Sequence, residues 1–155
     1  MDDLQRITAE RACERLIVDY CRLVDFGRAG EIADLFTEDG RWEGTELVLD
    51  GREEIRAWFT RRAGLTRRVS RHLCVNVGVD LLSEDEARSE CLLVNYRHDR
   101  QEGDMTMPVP VEVPKYVGEL RDEFRRTPDG WRFASRRVDV AFARARSATT
   151  SEATR

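Results

Sequence analysis

Apolar positions between residues 4 and 26 recur at steps of three and four. Ala9, Ala12, Cys13, Leu16, Ile17, Tyr20, Leu23 and Val24 share one face, which predicts a long amphipathic helix. Gly27 and Gly30 break it, and Ile32, Ala33, Leu35 and Phe36 mark the buried side of a second, short helix. Asp39-Gly40 is a turn signal. Residues 41–49 alternate loosely, as a strand does. Asp50 then stands as the N-cap of a third helix over 52–62, which buries Ile55, Trp58 and Phe59.

Further along, the period changes from 3.6 to 2. Segments 69–82, 87–98, 115–125 and 131–142 read as strands, and Ser83-Glu84-Asp85 and Thr127-Pro128-Asp129-Gly130 supply turns between them. Residues 100–114 hold Gly103, Pro108, Pro110 and Pro114 and read as a long loop or an edge. Its Met105 and Met107 suit a pocket lid or a subunit contact. Helices first and long strands afterwards indicate an α+β fold with a curved antiparallel sheet, not a βαβ fold. We expect a single domain over 1–146 and a disordered tail over 147–155 (SATTSEATR).

A chain of 155 residues is long enough to bury its own core without disulfides or metals. Its 30 acidic and 26 basic residues, net −4, argue against a nucleic-acid partner. No apolar run approaches the roughly 20 residues of a membrane span, and the polar start is not a secretory signal, so no membrane partner and a cytoplasmic location are expected. Cys13, Cys21, Cys74 and Cys91 form no CxxC pair, which disfavours zinc and suits reduced, buried thiols. GxGxxG, GxxxxGK[ST], GxSxG and HExxH are all missing. No metal or cofactor is therefore expected, and acid–base chemistry is what the remaining side chains support.

Three residues carry that chemistry. Asp25 falls beside Cys21 and Val18 on the helical wheel, so its carboxylate either meets a partner there or ends the helix in water. His72 shares a strand face with Cys74 and Asn76, opposite Leu73, Val75 and Val77. It lines a pocket or faces solvent. An adjacent carboxylate would fix its tautomer and raise its basicity. Tyr20 is either a core aromatic or a hydroxyl that polarises a carbonyl. His98, among Arg97, Asp99 and Arg100, reads as solvated. Trp42, Trp58 and Trp131 read as core or pocket wall.

The stretches "ERLIVDYCRLVDFGRAGEIADLFTEDGRWEG", "DGREEIRAWF", "SRHLCVNVGVDLLSEDEARSECLLV" and "YVGELRDEFRRTPDGWRFASRRV" resemble the nuclear transport factor 2-like superfamily in its SnoaL-like branch. That branch includes scytalone dehydratase, bile-acid 7α-dehydratase and hexachlorocyclohexane dehydrochlorinase. The resemblance implies a cone-shaped barrel wrapped around the long first helix, with two shorter helices and a deep pocket. It implies a homodimer or higher homo-oligomer, with Leu73, Val75 and Val77 suited to an interface on the open sheet face. Asp25 falls where these dehydratases keep an acidic partner, His72 where they keep the catalytic histidine, and Tyr20 five residues before the acid.

The expectation is a cofactor-independent lyase or isomerase acting on a small hydrophobic, carbonyl-bearing ring or polyketide-like substrate. His72 would be the base, Asp25 its orienting partner and Tyr20 the hydrogen-bond donor. Asn76, Arg137, Trp42 and Phe59 would contact substrate. The alternatives are a polyketide cyclase and a non-catalytic binder or accessory subunit for an apolar ligand.

Overall fold

The apolar stripe of the first segment becomes α1 (Asp3–Asp25) in a computed structural model that describes residues 1–145 except 66, 101, 104 and 112. The expected tail, 147–155, lies outside the described residues. Asp2 and Gln5 start the helix with a reciprocal capping box, at 2.7 and 2.8 Å. Gly27, at φ 78°, turns the chain away just after Asp25. A 3₁₀ helix (Ala29–Leu35) follows and buries Ala29, Ile32 and Ala33.

The expected strand over 41–49 is a hairpin of two: β1 (Phe36–Gly44) and β2 (Leu47–Asp50). Asp50 does not cap α2 (Arg52–Ala63). Its side chain pairs with Arg41 across that hairpin, and Gly51 takes the N-cap position. Four long strands complete the chain: β3 (Arg68–Leu81), β4 (Glu86–Asp99), β5 (Tyr116–Thr127) and β6 (Gly130–Ala143).

The six strands form one open sheet in the order β2-β1-β6-β5-β4-β3. The sheet is mixed, where the sequence suggested antiparallel. β1 follows two helices and re-enters beside the last strand, so β1 and β6 run parallel, Phe36 opposite Phe133. Helix α1 packs across β3 and β6. Along β4 the inward residues Ala87, Ser89, Cys91, Leu93 and Asn95 are buried and alternate with exposed or half-buried ones. The buried ring of Phe133 meets those of Phe36 and Phe124, each at 5.1 Å between centroids.

Two bulges decide which side chains turn inward. β3 slips register between Val75 and Gly78, with Asn76 at φ 55°. β6 slips against β5 where Glu123 faces Ser135 and Phe124 faces Phe133. Leu73, Val75 and Val77 are exposed on the outer face of the sheet. His98 is half-buried rather than solvated, and its Nε2 is enclosed. Among the described residues, no helix is long and apolar enough to cross a membrane.

Candidate active site

Asp25 is the last residue of α1, and the turn at Gly27 leaves its side chain pointing at the start of β3. Three donors converge on that carboxylate. The backbone N–H of His72 donates to Oδ2 at 2.7 Å, and Ser70 Oγ donates to Oδ1 at 3.0 Å. His72 Nδ1 lies 2.6 Å from Oδ1. The side chains of His72 and Asp25 are only 8% and 6% exposed, so neither faces bulk solvent. With a carboxylate at Nδ1, the proton belongs on that nitrogen and the lone pair on Nε2. Nε2 has no hydrogen-bond partner among the described residues.

Strand pairing extends the site across the sheet. His72 pairs with Asn95, and Asn95 with Tyr116, so one inward row carries an imidazole, an amide and a phenol. Opposed Cβ atoms in such a row lie about 5 Å apart. Asn95 is 1% exposed, and its Nδ2 finds no acceptor among the described residues. A buried donor without an acceptor costs free energy, and ligand-binding sites are where such costs are met. Below this row Cys74 faces Cys21, with Sγ atoms 3.4 Å apart. All four cysteines are free thiols, and Cys74 alone is not fully buried. Among the described residues no group of three His, Cys, Asp or Glu side chains could hold a metal.

Tyr20 lies deeper. Its hydroxyl accepts a 2.9 Å bond from Trp42 Nε1, which leaves its own proton free to be donated. Burial pushes the phenol above its ordinary value, against the opposing pull of Arg136 and the Trp42 bond. The ring packs edge-on against Phe59 at 5.9 Å, and Trp42 stacks on Trp58 at 5.8 Å. These four side chains make an aromatic wall. Beneath it, Arg136 is fully buried, its Cζ 4.2 Å from the ring centroids of both Tyr20 and Phe133. It donates two 2.7 Å bonds to Asp122, which also accepts from Ser89. Burial opposes the charge on Arg136, but Asp122 outweighs it and holds the guanidinium above its usual range. Its Nη1 has no partner among the described residues.

Two expected contacts lie elsewhere. Asn76 is exposed at the β3 bulge, where the change of register takes it off the His72 face. Arg137 is on the outer face, 57% exposed and paired with Asp139. The β6 bulge shifts the inward position to its neighbour, Arg136. Asn95 was within reach of sequence reasoning, since it continues the Cys91–Leu93 alternation. Arg136 was not, because no residue pattern locates the bulge.

A helix-capped, open, strongly paired sheet with a buried carboxylate–imidazole pair at the start of β3 defines an α+β cone. The chain belongs to the SnoaL-like domain family, whose pattern it matches over residues 5–137. Three solved structures share the fold. One is a Novosphingobium aromaticivorans protein provisionally assigned as a scytalone dehydratase (22% identity, 92% of each chain, TM-score 0.76). A second, from the same organism, is an NTF2-like protein with a cystatin-like fold (25% identity, 92% of this chain and 88% of that one, TM-score 0.75). The third is the hexachlorocyclohexane dehydrochlorinase LinA-type3 from Novosphingobium barchaimii (16% identity, 95% and 96%, TM-score 0.74). No curated protein matches the chain.

Proposed function

We propose that this protein is a cofactor-independent acid–base lyase or isomerase, dehydratase-like, acting on a small hydrophobic substrate with a carbonyl group. The observation that carries this reading is the 2.6 Å contact of Asp25 Oδ1 with His72 Nδ1 inside the fold, with Nε2 left unpartnered among the described residues. Fold relatives that include a dehydrochlorinase are consistent with elimination chemistry.

In this reading Nε2 removes a proton alpha to the carbonyl. Asp25 orients the ring and stabilises the imidazolium that forms. Asn95 Nδ2 and the Tyr20 hydroxyl hydrogen-bond the enolate oxygen. The enolate re-forms the carbonyl as a carbon–carbon double bond replaces the bond to a beta hydroxyl. The departing oxygen takes the proton back from Nε2 and leaves as water. Base placement of this kind contributes about 10²–10⁴-fold. Trp42, Trp58 and Phe59 supply an apolar wall for the hydrocarbon body.

The test is a panel of cyclic beta-hydroxy ketones, followed by the ultraviolet absorbance of the conjugated enone. Wild type should dehydrate at least one member. His72→Gln should lower kcat by at least about 10² with an unchanged circular dichroism spectrum. Normal turnover by that variant on the same compound sinks the proposal. Saturable binding of panel members without turnover would instead indicate a non-catalytic pocket.

A further inference from the structure

The end of α2 holds a cation that, among the described residues, no carboxylate neutralises. Ile55, Phe59 and Arg62 follow one another at steps of four and three, which places them on one helix face. Ile55 and Phe59 are buried on that face, and Phe59 reaches Tyr20. Arg62, the next position on this face, is only partly accessible. Its charge acts on the phenols of Tyr20 and Tyr116 and on the guanidinium groups of Arg68 and Arg97. Among the described residues it donates no hydrogen bond and pairs with no carboxylate.

Among the described residues, the carboxylates of Asp99 and Asp25 are already engaged. Arg68 and Arg97 both pair with Asp99, so two guanidinium groups already share that carboxylate. The Asp25 carboxylate is filled by Ser70 and His72. Tyr116, in the inward row with Asn95 and His72, makes no hydrogen bond through its hydroxyl among the described residues. A desolvated guanidinium without an anion is costly, and the cost is relieved when a ligand brings the anion. The positive potential of Arg68 and Arg97 would draw one in. A planar guanidinium together with a phenol hydroxyl matches the two oxygens of a carboxylate.

We propose that Arg62 is a specificity-determining residue of this site and that the substrate is a carboxylic acid. Its carboxylate is held by Arg62 and the Tyr116 hydroxyl, its hydrocarbon body lies on the aromatic wall, and its reacting carbon faces His72. The assignment of the reacting end rests on the acid–base reading above, whereas anion recognition by Arg62 does not.

The test compares cyclohexanecarboxylate with its methyl ester, by quenching of the Trp42–Trp58 fluorescence. Wild type should bind the acid at least about tenfold more tightly than the ester, the scale of one charge-assisted pair. Arg62→Gln should remove the preference and leave ester affinity within about twofold, while Arg62→Lys keeps part of it. His72→Ala should retain the full preference, which separates this inference from the catalytic one. Equal affinity of wild type for the two probes, no saturable binding of the acid at millimolar concentration, or a preference that survives in Arg62→Gln overturns it.

Discussion

Asp25 Oδ1 and His72 Nδ1 stand 2.6 Å apart across 47 residues of chain. The contact joins the end of α1 to the start of β3, and the carboxylate at Nδ1 fixes the imidazole tautomer. In nitrogen-resolved NMR of the folded protein, the neutral imidazole of His72 should carry its proton on Nδ1. Asp25→Asn should lose or reverse that preference. A neutral imidazole protonated on Nε2 alone in wild type would contradict the geometry.

Arg136 and Arg137 are neighbours with opposite fates. Arg136→Met leaves Asp122 buried and unpaired and should cost about 3–5 kcal/mol in urea unfolding. Adding Asp122→Leu should restore much of the loss, because two apolar groups need no partner. Arg137→Ala, on the outer face, should leave the urea midpoint almost unmoved.

Asn76 occupies left-handed backbone, at φ 55°. Asn76→Val should destabilise by about 1–2 kcal/mol, because a β-branched side chain meets the following carbonyl there, and Asn76→Gly should be tolerated. Both variants should bind the acid probe as wild type does. A loss of binding in the stable glycine variant would return Asn76 to the site.

Gly118 is the close-approach point between β5 and β6, where a Cβ would overlap the Asp139 carbonyl oxygen. Gly118→Ala should cost at least about 1–3 kcal/mol, since backbone, not a side-chain tip, must move. A melting temperature equal to wild type would show that the second register shift of this strand pair, between Val117 and Gly118, absorbs the methyl group.

Burial raises the phenols of Tyr20 and Tyr116 above the ordinary 10.0. The unfolded chain therefore releases these protons first as pH rises. Stability from this source is intact below pH 10 and falls above it, through the higher folded values. Tyr20→Phe should flatten the alkaline limb of a urea-midpoint profile recorded from pH 8 to 11. An unchanged limb would mean that Tyr20 ionises normally in the folded state.

Much of this was legible in the residues. The three-and-four spacing from Ala9 to Val24 wrote α1, and the alternation after residue 66 wrote the four long strands. Both periods follow from local geometry. Asp25, His72 and Tyr20 stood out because each puts a polar group among apolar neighbours. What stayed hidden depends on register. Alternation carried Asn76 onto the His72 face and offered nothing to choose Arg136 over Arg137. An extra residue in a strand moves every later side chain to the other face, and the sequence does not mark where it falls.

The sequence by itself determined the first and third helices, the four long strands, their order and the family pattern, because helix and strand periodicity are properties of neighbouring residues. Only the tertiary structure decided the parallel return of β1 beside β6, the placement of Asn95 beside His72 and of Tyr116 beside Asn95, the burial of Arg136 and the charge of Arg62, which no described carboxylate pairs. Those are contacts between residues far apart in the chain. They are set by strand pairing and bulge position, which are settled when the whole core packs.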